Sequence, residues 1–206
     1  MMRLYWSPRS PYVRKVMVCA HETGLADRID TIPTTVAMTR PHIELMRDNP
    51  LGKIPTLVTD SGKVLFDSAV ICEYLDSLHD GPRLFPSTPD ARWEALRWHA
   101  FGDGMLDLMI LWRNELLRPQ MQQSGEILAA FELKIRTAVS TLDREAAAIT
   151  RAPFAIGHIA IGCALGYIDF RFPATAWRDG HSGISRWFET FAQRPAARLT
   201  VPADNL

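Results

Sequence analysis

In the stretch Leu4–Val16, LYWSPRSPYVRKV, a short apolar strand runs into a helix through a loop carrying two Ser-Pro pairs, Ser7-Pro8 and Ser10-Pro11. Met2 to Trp6 reads as the strand. From Tyr12 onward the apolar residues fall at Val13, Val16, Met17 and Ala20, a helical stripe that stops at Gly24. Serine is a favoured N-cap and proline fits the first helical position, so Ser10-Pro11 reads first as a helix start. A helix N-terminus also stabilises an anion, so the Ser10 hydroxyl and the first-turn amides are a second, functional reading of the same residues. A redox protein with this layout places a pair of cysteines at the turn. Here the turn holds Arg9 and Ser10.

Downstream, Ile29 to Pro33 reads as a second strand and Ile43 to Met46 as a helical turn. Ile54 to Thr59 and Lys63 to Phe66 flank Asp60-Ser-Gly62, a hairpin signal. Val70, Ile71, Tyr74, Leu75 and Leu78 then mark an amphipathic helix. The order β-α-β-α-β-β-α predicts a small mixed sheet with helices on its faces, over residues 1–78. His79 to Asp90 (HDGPRLFPSTPD) reads as a linker, 79–90. The remainder, 91–206, reads all-helical: Ala91 to Leu117, Ser124 to Ile149, Ile156 to Phe170 and Ile184 to Ala192, with an extended tail from Pro202. The fold class expected is therefore α/β followed by all-α.

Composition narrows the function classes. The 206 residues are 47% hydrophobic and 22% charged, ordinary for a globular protein of one large or two small domains. Lys+Arg and Asp+Glu are both 23, so net charge drives the chain neither toward nucleic acid nor toward an anionic membrane. Arg3, Arg9, Arg14 and Lys15 interrupt the N-terminal stretch, so no signal-peptide core is expected, and no apolar run reaches membrane-spanning length. Cys19, Cys72 and Cys163 are odd in number and far apart within apolar helical patterns. They read as buried hydrophobes, and the cytoplasm is the expected compartment. The His residues lack metal-ligand spacing, so no metal site is expected.

Two further motifs carry chemistry. Asn49–Thr56, NPLGKIPT, puts a proline at the start of a strand after a Gly-containing turn, and predicts a cis Ile54-Pro55 bond that leaves the Ile54 N–H and C=O free to pair with a peptide-like ligand. An ordinary turn is the equally weighted alternative. Phe66-Asp67-Ser68 stands where the hairpin meets the next helix. Asp67 suits an ammonium and Ser68 a carboxylate, the charged end of an amino acid, although both are also routine capping residues.

The mixed sheet, the Ser-Pro helix start, the Gly-x-Ile-Pro turn and the Asp-Ser pair, in this order before an all-helical half, resemble the glutathione S-transferases over essentially the whole chain. The small bacterial, serine-type members share the runs FDSAVICEYLD and ALGYIDFR nearly in pattern. The resemblance implies a thioredoxin-like N-terminal domain that binds glutathione as co-substrate, and a C-terminal helical bundle that supplies most of the pocket for an apolar electrophile. It implies that Ser10 donates to the sulfur and that Ile54, beside Pro55, pairs with the cysteinyl part. Asp67 and Ser68 would hold the γ-glutamyl end, with Lys53 or Arg40 near the glycyl carboxylate and Arg9 near the sulfur. Tyr12, Met109, Trp112 and Arg113 would line the second-substrate pocket, although Met and aromatic residues at helical spacing more often form core. A homodimer, a transferase activity in detoxification, and no metal, nucleic acid or membrane complete the expectation. A non-catalytic glutathione-binding or protein-interaction module on the same fold is the alternative. One departure stands out: the family opens its central helix with a Ser/Thr-x-x-Asp capping box, and this chain has Ala155-Ile-Gly-His158, losing a cap worth about 0.5–2 kcal/mol.

Overall fold

A computed structural model describes residues 1–204 of the chain; positions 205–206, the end of the expected tail, lie outside the described residues. β1 (Met2–Trp6) lies at the centre of a four-stranded sheet of order β2-β1-β3-β4. It pairs parallel with β2 (Ile29–Pro33) and antiparallel with β3 (Thr56–Val58), which in turn pairs antiparallel with β4 (Val64–Leu65). The crossovers are α1 (Pro11–Glu22) and α2 (Ile43–Asp48), and α3 (Ser68–Asp76) follows the hairpin. The parallel β1–α1–β2 unit and the hairpin share one face, where Met2, Leu4 and Leu57 are fully buried against Val16, Cys19, Ile71 and Leu75.

The second half is helical: α4 (Pro89–Leu116), α5 (Gly125–Arg151), α6 (Ile156–Arg171), α7 (Ser182–Ala192) and α8 (Pro195–Leu199). Sequence periodicity foresees the first four of these. It misses α8, a helix of 5 residues too short to show a period. α6 is the axis, buried from Ile156 through Ile168, because its surface is apolar all round. It lies unusually close to α4. A Cβ on Gly102 would stand 2.6 Å from the Ala160 backbone, and one on Gly157 2.7 Å from the Ala95 carbonyl, so only glycine fits at either crossing. Cys19, Cys72 and Cys163 are free and buried. No helix among the described residues is long and apolar enough to cross a membrane.

The start of α6 resolves the missing cap. Ala155 has no side-chain acceptor, but the Ile156 N–H donates to the Leu84 carbonyl at 2.9 Å and the His158 N–H to that of Ala155 at 2.9 Å. The His158 ring supplies the rest: Nδ1 accepts the Ala155 N–H at 3.1 Å and Nε2 donates to the Ile149 carbonyl at 2.9 Å. One ring nitrogen accepts and the other donates, which requires the neutral imidazole. Burial is the main cause that holds the His158 pKa below its ordinary value.

A histidine whose folded pKa is depressed favours the native state above its unfolded value of about 6.5 and loses that advantage as pH falls below it. Thermal unfolding followed by circular dichroism should therefore show the melting temperature dropping from pH 7 toward pH 5. His158→Asn should be less stable at neutral pH by about 1–3 kcal/mol, with a flatter profile across that window.

Candidate functional site

Strand register places the three sequence motifs at one edge of the sheet. Leu4 pairs with Leu57 and Tyr5 with Thr56, so Pro55 and Ile54 fall beside the end of β1, where the Ser7–Ser10 loop begins. Leu57 pairs with Leu65, which brings Phe66 and Asp67 to the same end. The site is thus built from the loop after β1, the turn before β3 and the helix start after β4.

Ser10 is the N-cap of α1, with φ −86° and ψ 118°, and its Oγ accepts the Val13 N–H at 3.3 Å. That bond uses an oxygen lone pair. The hydroxyl proton is left to donate, so the capping and the ligand-facing readings are compatible. Ser7 is a turn residue: its carbonyl accepts the Ser10 N–H at 3.2 Å and its Oγ the Arg9 N–H at 3.4 Å.

The Ile54-Pro55 peptide is cis, as its sequence context predicts, and so is Phe66-Asp67. Among the described residues, the Ile54 N–H and C=O make no hydrogen bond. The turn before them is organised by a residue to which the sequence reading assigned no role. Asn49 is 1% exposed. Its Nδ2 donates to the Lys53 carbonyl at 3.2 Å and to Thr56 Oγ1 at 2.9 Å, while its Oδ1 accepts the Leu51 N–H at 3.1 Å. An asparagine before Pro-x-Gly is a known turn initiator, and this was the available signal. Gly52 closes the turn at φ +61°, a conformation that favours glycine. Lys53 projects into solvent, and Arg40 lines an open cavity of about 330 Å³ with Pro41, His42 and Glu44. Asp67 caps α3, accepting the Ala69 N–H at 2.9 Å, and stays exposed, whereas Ser68 is buried.

The helical half faces this edge through α4. The Tyr12 hydroxyl donates to Asp107 in a short bond. Burial first, then that carboxylate, pushes the Tyr12 phenol far above its ordinary value, so it remains a neutral donor. Lys15, with no exposed surface, reaches from α1 to both Asp103 oxygens at 2.6 Å and to His99 Nε2 at 2.9 Å. Burial pushes the Asp103 carboxyl up, but the His99 hydrogen bond and the Lys15 charge outweigh it and hold the net value low. Of the residues expected at the second-substrate pocket, Met109 is fully buried in the helical core and Trp112 stacks on Phe172 at 4.4 Å, so both serve packing here. Tyr12 and Arg113 keep partial exposure. A cavity of about 170 Å³ adjoins the loop, lined by Ser7, Ser10, Arg14, His21, Thr31 and Thr200. No group of three or more His, Cys, Asp or Glu that could hold a metal ion occurs among the described residues.

Comparison with known proteins agrees with this fold. Residues 9–78 match the family described as Glutathione S-transferase, N-terminal domain. Along 98% of both chains, the protein is 29% identical to the uncharacterized GST-like protein YibF of Escherichia coli K12. The structure superposes with a TM-score of 0.95 on a glutathione transferase family member from Pseudomonas fluorescens Pf-5 with bound glutathione. That protein is 42% identical, and the match covers 98% of this chain and 100% of that one. A second structure described in the same terms, with bound S-(propanoic acid)-glutathione, gives a TM-score of 0.91 at 41% identity, again over 98% and 100% of the two chains.

Asn49→Ala removes the donor to Thr56 Oγ1, one of two donors to the Lys53 carbonyl and the acceptor of the Leu51 N–H. It should cost about 1–3 kcal/mol in urea unfolding, and the loss should greatly exceed that of an exposed neighbour such as Leu51→Ala.

Proposed function

The chain belongs to the glutathione S-transferase family, and from that premise we propose that it is a glutathione transferase acting on small electrophiles in the cytoplasm. The observation that carries the reading is the edge of the sheet. An unpaired Ile54 N–H and C=O, an exposed Asp67 carboxylate and a Ser10 hydroxyl with a free proton stand together where one tripeptide can meet all of them. The Ile54 backbone, beside Pro55, pairs with the cysteinyl unit as a strand would. Asp67 takes the α-ammonium of the γ-glutamyl end, Ser68 and the α3 N-terminus its carboxylate, and Lys53 the glycyl carboxylate. The relatives solved with glutathione and with a glutathione thioether support both a tripeptide site and room for a substituent on sulfur.

Ser10 acts on the sulfur. A free thiol with a pKa of roughly 8.5 is mostly protonated at neutral pH, and lowering it by about two units takes roughly 2.7 kcal/mol of preferential thiolate stabilisation. A charge-assisted hydrogen bond contributes about 1.5–3 kcal/mol and a helix N-terminus about 0.3–1 kcal/mol, so the two together suffice. The sulfur of glutathione is the nucleophile, and no covalent enzyme intermediate is required. Tyr12 and Arg113 flank the second substrate.

Calorimetry should show saturable binding of glutathione; absence of binding overturns the reading, and binding without turnover of any electrophile favours the non-catalytic module. In the complex, followed by thiolate absorbance, Ser10→Ala should raise the bound thiol pKa by about one to two units and slow conjugation at neutral pH roughly 10- to 100-fold. An unchanged thiol pKa removes Ser10 from this role.

The protein is also proposed to form a homodimer through the start of α4 and α3. Trp93 and Val70 are 70% and 47% exposed there, on helices joined by the Arg92–Glu73 ion pair. Light scattering at micromolar concentration should give twice the chain mass, and Trp93→Glu should shift it toward monomer.

A further inference from the structure

We propose that the electrophile taken by this protein carries a carboxylate, held by Arg171, Arg9 and Arg113 at the place where the chain seats its own Asp204. The inference rests on the transferase reading for the identity of the reaction, and on the arginines alone for the anion site.

Arg171 ends α6. Its guanidinium lies over the Phe170 ring at 3.8 Å and its two terminal nitrogens reach Asp204 at 2.7 and 3.1 Å, a bidentate fork-to-carboxylate pair. The fork is therefore already oriented for a carboxylate. The carboxylate that fills it faces solvent, since the Asp204 side chain is 64% exposed while that of Arg171 is 14%. The tail arrives there by way of the Ser-Pro loop: the Ala203 N–H donates to the Pro8 carbonyl at 3.3 Å. The tail segment that carries Asp204 thus meets both Arg171 and the backbone beside Arg9, the residue after Pro8. Arg113 lies in the last turn of α4. The Arg171 hydrogen bonds, with the charges of Arg9 and Arg113 behind them, hold the Asp204 carboxyl below its ordinary value, while burial raises the Tyr167 phenol and the charges of Arg113 and Arg171 only partly oppose it.

One guanidinium, that of Arg171, therefore grips the carboxylate directly, and the positive charges of Arg9 and Arg113 act on it from further away. Neither the Arg9 nor the Arg113 side chain makes a hydrogen bond or ion pair among the described residues, and the Nε–H groups of Arg9 and Arg171 are buried without an acceptor. Partly buried cations without partners are costly. A ligand carboxylate removes that cost, either by joining Asp204 or by displacing it. The position also suits the chemistry. Arg9 adjoins Ser10 in sequence, while Asp107 is bonded to Tyr12 and Asp103 to Lys15, so those carboxylates are already engaged. Arg9, which the family resemblance grouped with glutathione, is assigned by this geometry to the second substrate. The body of that substrate remains apolar, with its anionic end on the arginines and its electrophilic carbon toward the sulfur.

Chlorodinitrobenzoate and its methyl ester form a matched probe pair. In either, the thiolate of glutathione forms the S–C bond, chloride leaves with the bonding pair, and the carboxyl group is unchanged. Titrated calorimetrically into the glutathione-free protein, the benzoate should bind at least about tenfold more tightly than the ester, and less tightly at high salt. Arg171→Gln should weaken the benzoate roughly tenfold, and Asp204→Asn should tighten it about threefold or more by removing the competing carboxylate. Asp204 is exposed, so this second variant decides the matter if Arg171→Gln fails to fold. Equal affinity for acid and ester, or a benzoate affinity indifferent to Asp204→Asn, overturns the proposal. Benzoate binding without any glutathione binding upholds the anion site and removes the transferase reading. Conjugation of acid and ester with equal acceleration over their uncatalysed rates does the reverse.

Discussion

A buried ammonium group ties the two halves of this molecule together. Lys15 extends from α1, in the sheet domain, to Asp103 and His99 on α4, and has no exposed surface at all. Desolvating a cation costs several kcal/mol, so the site exists only because a carboxylate accepts two bonds at 2.6 Å and an imidazole a third contact. Removing one member of such a set typically costs about 3–5 kcal/mol, because the others are left buried and unpaired. The consequence is geometric. Ser10 caps α1 and α4 carries Arg113, so the Lys15 contact sets how the Ser10 end of α1 faces the α4 wall. The Arg194–Glu22 pair, at 2.7 and 2.8 Å, and the Tyr12–Asp107 bond secure the same interface at other points.

In the proposed function, Ser10 serves stability and chemistry without conflict. A hydroxyl has two lone pairs and one proton. Capping consumes a lone pair, and thiolate stabilisation needs the proton. A cysteine at this turn would bring its own reactive sulfur. A serine instead leaves the turn able to bind one from a ligand, in the field of the same helix end that the serine caps. His158 repeats the economy at α6, where a neutral ring accepts with one nitrogen and donates with the other in place of a missing capping box.

Local patterns made much of this readable. The Ser10-Pro11 start of α1, the hairpin around Gly62 and the amphipathic stripe of α3 each depend on residues close together in sequence, and the structure places these elements within a few residues of their expected limits. Asn49 was half-legible: its type and the following Pro-x-Gly announce a turn, but its bond to Thr56 Oγ1 requires the next strand to be in place. Met109 and Trp112, expected at the pocket, are buried in the helical core, and helical spacing reports only that a residue lies on an apolar face. Whether that face meets a core or a cleft is set by the neighbouring helices, and here both residues join the helical core, Trp112 stacking on Phe172 just past α6.

By itself the sequence determined the order of elements, the division between a mixed sheet and a helical half, and the identity of the residues at the sheet edge. Those follow from periodicity, capping and turn chemistry, which act over one to four residues. The tertiary structure alone decided which charges meet. Lys15 with Asp103, and Arg171 with Asp204 beside Arg9, are pairings across long stretches of chain. Their energy depends on burial and on distance, and neither exists until the helices have packed.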